Sequence, residues 1–298
     1  MKLQKIIINT LLKLLSKLNL RQARWLGRIL GSLVWQIDGG PKKITLENLD
    51  RAYPVMNQTA KEQLAKRSLQ HMFSLLSEFA ITWNASSEWL NSQVHSFQGE
   101  ELLVCPKGKG VIILAPHLGN WEAMGQVLAT KVAMTAMYSP PKQDFLEPII
   151  RNARERFGVK MVPATAKGVI SLTRALKNNE SVFMLPDQVP ADAGGIHAPF
   201  FNVNAFTMKL AAGLITRTGC KVVMAAGFQG DKGWDIVLEE ADPEIYSDDL
   251  YTSVAAMNRS IEKLVNYHPE QYQWEYKRYR KLQNTPISDI SSPARMLG

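Results

Sequence analysis

The feature that most constrains this chain is an alternation. Between residues 94 and 267, short apolar runs bounded by Gly, Pro, Asn or Lys alternate with longer stretches of helical spacing. Val94 to Phe97, Val111 to Ala115, Val132 to Tyr138, Lys160 to Pro163, Ser181 to Leu185, Lys221 to Gly227 and Trp234 to Leu238 read as strands. Ala123 to Thr130, Phe145 to Phe157, Val169 to Asn178, Thr207 to Thr218 and Thr252 to Tyr267 read as helices. This order predicts an α/β fold: a central, mostly parallel or mixed sheet flanked by helices. With 298 residues and 46% hydrophobic content, the chain can bury a sizeable core.

The first third is different. Residues 1–38 read as helical and are dense in Leu, Ile and Trp, but Lys5, Lys13, Lys17 and Arg28 interrupt the apolar stretches. No run reaches a comfortable membrane span, and no small-residue cleavage site follows an apolar core. The pattern predicts interfacial helices, with basic residues at head groups and Leu, Ile and Trp among acyl chains. Gly39-Gly40-Pro41 breaks them, and Leu46 to Tyr53 and Thr59 to Trp83 return to helix, with Thr59-Ala-Lys-Glu62 resembling a capping box. The expected organisation is a membrane-associated segment at 1–38 and one α/β domain at 39–298. Within the domain, 39–92 is helical, 93–267 is the sheet core and 268–298 is an aromatic-basic tail.

The formal net charge of +8 favours an anionic partner, whether nucleic acid, a membrane surface, a phosphorylated lipid or an acidic carrier protein. Cys105 and Cys220 give neither a metal-ligand spacing nor a disulfide framework. The tail Gln271-Tyr-Gln-Trp-Glu-Tyr-Lys-Arg-Tyr-Arg-Lys281 interleaves rings and bases. That suits nucleic acid, a membrane interface or a helix packing its aromatic face on the core.

In open α/β sheets, ligands sit at the carboxyl ends of strands. Four strand ends carry candidates: Ala115-Pro-His117, Tyr138-Ser-Pro-Pro141, Leu185-Pro-Asp187-Gln188 and Ala226-Gly227. The first is the most pointed. Val111-Ile-Ile-Leu-Ala-Pro116 is followed at once by His117-Leu-Gly-Asn-Trp-Glu122, where a helix begins. Ahead of the helix, His117 can fold back over its first turn, so that Glu122 accepts from one imidazole nitrogen. The other nitrogen is then free to take a proton from a hydroxyl. This is the base-plus-orienter half of a triad without a protein nucleophile. His95-Ser-Phe-Gln-Gly-Glu100 has the same spacing, but no helix start follows it. Context, not spacing, singles out His117.

Asp187 ends a strand and can orient a substrate group or support the site. Arg154 can clamp a phosphate or an acceptor head group. His197 lies in an expected loop, and His71 and His268 have no partner pattern. Cys105 lacks a nearby His, which argues against a thiol nucleophile.

Taken together, His117-Leu-Gly-Asn-Trp-Glu122, Arg154-Glu-Arg-Phe-Gly158, Leu185-Pro-Asp187-Gln188, Ala198-Pro-Phe-Phe201 and the closing Gln271-Tyr-Gln-Trp-Glu-Tyr-Lys-Arg-Tyr279 resemble one family. It is the bacterial lipid A biosynthesis (lauroyl/myristoyl) acyltransferases of the lysophospholipid acyltransferase superfamily, and the likeness runs over roughly residues 5–282. The resemblance implies that His117 deprotonates a hydroxyl of a phosphorylated glycolipid acceptor while Glu122 holds the imidazole. The alkoxide then attacks the thioester of an acylated acyl carrier protein, without a covalent acyl-enzyme and with neither cofactor nor metal. It also implies Arg154, Asp187, Asn120 and Gln188 as substrate-binding or supporting residues. The implied location is the cytoplasmic face of an inner membrane, through a monotopic contact or a single N-terminal span, with no nucleic-acid partner. The alternatives are another lyso-lipid or glycolipid acceptor, a thioesterase or lipase, and a non-catalytic binder of anionic lipid or nucleic acid. Met124, Met134, Met137, Met161, Met184 and Phe183 are candidates for the wall of an acyl pocket.

Overall fold

In a computed structural model, the structure describes residues 2–281 apart from 142 and 144. The chain begins with five helices, α1 (Lys2–Leu15), α2 (Leu20–Gln36), α3 (Gly40–Ala52), α4 (Gln58–Thr82) and α5 (Ser87–Ser92). The α/β core follows as β1 (Val94–Gln98), β2 (Val111–Leu114), α6 (Trp121–Ala129), β3 (Met134–Tyr138), α7 (Glu147–Glu155), β4 (Lys160–Pro163), α8 (Ala166–Lys177) and β5 (Ser181–Met184). A hairpin of β6 (Gly195–Phe200) and β7 (Val203–Met208) comes next, then α9 (Leu210–Thr218), β8 (Lys221–Gly230), β9 (Gly233–Glu240) and α10 (Leu250–Tyr267).

Seven strands form one sheet in the order β1-β9-β8-β2-β5-β3-β4. Five neighbours, β8, β2, β5, β3 and β4, are parallel, while β9 is antiparallel to β8 and carries β1 in its own direction. The mixed α/β sheet expected from the alternation is what forms. Its central strands β2 and β5 are buried along their whole length, as continuous apolar runs require when helices cover both faces. The two-stranded sheet of β6 and β7 was not expected: Thr207 and Met208 end a strand instead of opening a helix, and α9 starts at Leu210. Helix α4 is capped by Asn57, whose side chain accepts from Ala60 N at 2.9 Å, so Thr59 lies inside the helix and forms no capping box.

Helix α2 has three faces. Ala23, Gly27 and Gly31 turn inward, and a Cβ at Gly27 or Gly31 would collide with the backbone of α4 at Ser74 or Gln70. Only glycine lets the two helices approach this closely. Arg21, Arg24 and Arg28 follow one another along a second face. Trp25, Ile29, Leu30 and Leu33 form a third, which is exposed; Trp25 retains 60% of its surface. Leu11 and Leu14 of α1 are exposed as well. Among the described residues no helix is long and apolar enough to cross a membrane.

Of the readings open for the tail, packing of its aromatic residues on the core is what forms, in turns and not in a helix. Tyr272, Trp274, Arg278 and Tyr279 are buried in the main core, and Trp274 is fully enclosed against Tyr53, Phe201 and Tyr272. Arg278 lies over the Phe200 ring and donates to Phe206 O and Thr207 Oγ1, both at 2.7 Å. The Tyr272, Trp274 and Tyr279 rings are structural, and Tyr276 is half-buried. Residues 282–298 of the expected tail lie outside the described residues.

Candidate active site

Parallel pairing of β2 with β5 sets Leu114 against Met184, so the chain leaves both strands at the same level of the sheet. The segments that follow carry His117 and Asp187. Asp187 Oδ1 lies 2.8 Å from His117 Nδ1, and Oδ2 accepts the backbone N–H of His117 at 2.9 Å. Two bonds from one carboxylate fix the rotamer of the imidazole and place its proton on Nδ1. Asp187 is buried, which alone would raise its pKa; the His117 charge and three hydrogen bonds outweigh that, and the carboxyl is held below its ordinary value. Burial, and then the Asp187 charge, push the nearby Tyr272 phenol well above its usual range.

Glu122 does not orient the imidazole. It sits on the first turn of α6 and faces α7, where Arg154 Nε lies 3.1 and 3.2 Å from its two oxygens and Arg154 Nη2 makes a further close contact. Trp83 Nε1 donates to it from α4 at 3.3 Å. Burial disfavours the charge on Arg154, and Glu122 overcomes it, so the guanidinium pKa stays above its ordinary value. The expectation of a His117–Glu122 pair is therefore corrected to His117–Asp187 beside Glu122–Arg154. The helix start turns Glu122 away, whereas β2 and β5 are sheet neighbours. Arg154 retains partial exposure, 32% of its side chain, at the edge of the same depression.

Asn120 is not positioned for a substrate. It is fully buried, caps α6 by accepting from Ala123 N at 2.8 Å, and donates to Glu78 Oε2 at 2.5 Å. Glu78 is the residue the sequence did not reveal. Fully buried in α4, it pairs with Arg24 and accepts from Trp234 Nε1 at 3.0 Å, so one carboxylate ties α2, α4, β9 and the loop after His117 together. Gly119, at φ +61°, lets that loop pass so close to Gly227 that a Cβ would strike its carbonyl. Asn120 N donates to the same carbonyl at 2.6 Å.

Gln188 does reach the imidazole: its Nε2 lies 3.2 Å from His117 Nε2 and 3.1 Å from Gln273 Oε1. Gln273 N also donates to His117 O at 3.0 Å. The Trp121 ring meets the imidazole edge-on at 4.9 Å between centroids. With Nδ1 bound to Asp187, Nε2 is the ring nitrogen left to Gln188 and to any ligand. His197 lies in β6 facing Lys281 O at 2.8 Å, away from the site.

An apolar pocket opens beside this centre between α6, α7, β3 and β5. Trp121, Gly125, Met134, Met161, Phe183 and Leu185 wall it, and Glu122 and Arg154 stand on its rim. Met134, Met137, Met161 and Phe183 line it as expected; Met124 and Met184 do not, being fully packed in the core. An imidazole held by a buried carboxylate next to an apolar slot, with Nε2 reached only by the exchangeable amide of Gln188, can activate a hydroxyl against an acyl group.

Residues 3–281 match the family model described as bacterial lipid A biosynthesis acyltransferase. The lipid A biosynthesis palmitoleoyltransferase of Escherichia coli (strain K12) is 24% identical over 275 residues, spanning 90% of this chain and 87% of that protein. The lipid A biosynthesis lauroyltransferase of the same organism is 22% identical over 261 residues, spanning 86% and 84%. A lipid A biosynthesis acyltransferase of Haemophilus influenzae is 26% identical over 236 residues, spanning 76% and 72%. Among solved structures, the 1-acyl-sn-glycerophosphate acyltransferase of Thermotoga maritima is 15% identical and covers 81% of this chain and 97% of its own, at a TM-score of 0.38. With its family model matched along nearly the whole chain, the protein belongs to the bacterial lipid A biosynthesis acyltransferases.

Proposed function

We propose that this protein moves a fatty acyl chain from acylated acyl carrier protein to a hydroxyl of a phosphorylated lipid A precursor, with His117 as general base and Asp187 as its orienting carboxylate. The observation that carries the reading is the bond from His117 Nδ1 to the buried Asp187, which leaves Nε2 as the basic nitrogen, where the acceptor hydroxyl takes the place of the Gln188 amide. His117 takes the hydroxyl proton as the oxygen attacks the thioester carbonyl. The C–O bond forms, the C–S bond breaks, and the thiolate leaves with the proton that the His117 imidazolium gives back. Asp187 stabilises the imidazolium without taking its proton. Arg154, already neutralised by Glu122, stiffens the rim of the acyl pocket and offers its exposed edge to acceptor charge or to the developing oxyanion.

The pocket supports a long acyl chain by its composition more than by its open space. Its free volume of about 50 Å³ is small, so the chain enters by displacing side chains. Met134 and Met161 suit this, because an unbranched thioether changes rotamer at little cost. The exposed apolar faces of α1 and α2 support a monotopic contact with the cytoplasmic face of the inner membrane. The test of donor and acceptor is direct. Purified protein is offered labelled acyl groups on acyl carrier protein or on coenzyme A, with an under-acylated lipid A precursor. Preference for the carrier protein supports the reading; equal use of both donors, or transfer to lysophospholipid in place of the precursor, overturns it.

A further inference from the structure

A second concave site lies at the same end of the parallel strands as His117, next to the segment that begins at Gln271. It is a groove of about 570 Å³ between α2, α4 and the β8–β9 turn. Its two ends of the wall come close to the catalytic loop: Gln271, which lines the groove, accepts from Gly119 N at 3.0 Å, and Gln273 beyond it holds His117 O.

Arg21 and Arg28 from α2 and Arg67 from α4 point into this groove, and all three are exposed. None of them has an acidic partner within ion-pair distance among the described residues. Arg24, at the floor, is different, being neutralised by Glu78. Two carboxylates also line the groove, Asp231 and Glu270, and Glu270 is shared with His268 at 3.5 Å. The three arginines therefore leave the groove cationic. It also holds an unused donor: Gln229 gives its Oε1 to His71 Nδ1 at 3.1 Å, while its Nε2 is buried without an acceptor among the described residues. Burial in turn pushes the His71 pKa down to about 4, so this ring is a neutral wall and not a fourth cation. Unpaired guanidinium groups around an unsatisfied amide are the recognition chemistry of a phosphate, whose several oxygens accept planar forks of donors.

The position narrows the source. Arg21 and Arg28 stand beside the exposed apolar face of Trp25, Ile29 and Leu33 on the same helix. If that face meets acyl chains, as in the function proposed above, the arginines lie at the depth of the head groups.

We propose that the groove between α2, α4 and the β8–β9 turn is a binding site for a phosphate group, presented by a lipid head group at the membrane surface or by a soluble phosphate ester. The site is separate from the imidazole and needs no acyl transfer to be occupied. It holds the 271–273 segment and its neighbour His117 at a fixed distance from the head-group plane.

The test uses the full chain and vesicles of phosphatidylcholine with or without phosphatidic acid. One variant carries Arg21→Gln, Arg28→Gln and Arg67→Gln. A control carries Arg174→Gln, Lys177→Gln and Arg217→Gln, which removes three exposed bases from a separate groove between α8 and α9. A third, Gln229→Leu, removes the amide donor and no charge. Binding to phosphatidate vesicles is expected to fall by about a hundredfold in the first variant and by severalfold in Gln229→Leu, with little change in the control. Inorganic phosphate is expected to compete where chloride of equal ionic strength does not. Competition by phosphate without any preference for phosphatidate vesicles would assign the site to soluble esters. Equal losses in the two triple variants, or wild-type binding by the first, would overturn the proposal. Acyl transfer is scored separately, so loss of the groove and loss of the catalytic reading give different results: the first leaves His117-dependent turnover on detergent-dispersed substrate intact.

Discussion

Asp187 Oδ1 receives His117 Nδ1 at 2.8 Å, while the Glu122 carboxylate five residues beyond the histidine is engaged by Arg154 on another helix. The acid that shares a motif with the base in sequence is thus not the acid that holds it in space. This assigns different consequences to removing each carboxylate.

Asp187→Asn keeps the shape of the side chain but removes the charge that fixes the imidazole tautomer and stabilises its protonated form. The turnover number is expected to fall by about a thousandfold to ten-thousandfold with KM little changed, since Asp187 is buried and does not meet substrate. Steady-state kinetics with acylated carrier protein as donor measure it. A loss below about tenfold would remove Asp187 from the mechanism.

Arg154→Ala leaves Glu122 buried and unpaired. Stability is expected to drop by about 2–4 kcal/mol, less than for a wholly buried pair because the arginine retains access to water. The double variant Glu122→Gln/Arg154→Ala recovers part of that loss. Urea midpoints of the two variants give the answer; equal destabilisation in both would mean that the pair is not coupled.

Gly125 faces the acyl pocket, and a Cβ there would meet the Phe183 ring at 3.6 Å, an ordinary contact. A larger side chain would fill the slot. Gly125→Leu is expected to shift donor preference towards shorter acyl chains by about tenfold in kcat/KM. A series of acyl carrier proteins loaded with chains of different length reads this directly, and an unchanged ranking would place the acyl chain elsewhere.

Glu275 predicts a dependence of stability on pH. Burial raises its pKa from 4.5 to about 7; its Oε1 accepts from Ser68 Oγ at 3.0 Å and its Oε2 has no partner among the described residues. The folded chain therefore favours the protonated acid. Its stabilising effect is complete below pH 4.5 and declines as pH rises towards about 7, where it is lost. Glu275→Gln is expected to be more stable than the wild type above about pH 7, by about 1–3 kcal/mol, and equal to it near pH 4. Thermal midpoints across that range check the sign as well as the size.

The sheet was legible because its strands are short apolar runs between breakers: all seven runs named in the sequence occupy the sheet. The β6–β7 hairpin was not, because His197, Pro199, Asn202 and Asn204 break the apolar signal and its register depends on contacts with α10 and the tail. The tail left several readings open for a related reason. Interleaved rings and bases look the same on a surface as in a core, and only the packing of Trp274 and Arg278 distinguishes them. His117 could be found from its place at a strand-to-helix switch. Its partner could not, because the pairing of Asp187 with His117 follows from β5 lying beside β2, a sheet order that neither segment states alone. Glu78 was hidden further, one acid near the end of a long helix with no local pattern to mark it.

The most direct measurement is transfer of a labelled acyl group from acyl carrier protein to an under-acylated lipid A precursor, followed for the wild type and for His117→Ala. Label is expected to appear stoichiometrically in the precursor with the wild type, and the rate to fall by at least about a thousandfold with the variant. Full activity of His117→Ala, or release of free fatty acid that the precursor does not suppress, would contradict it.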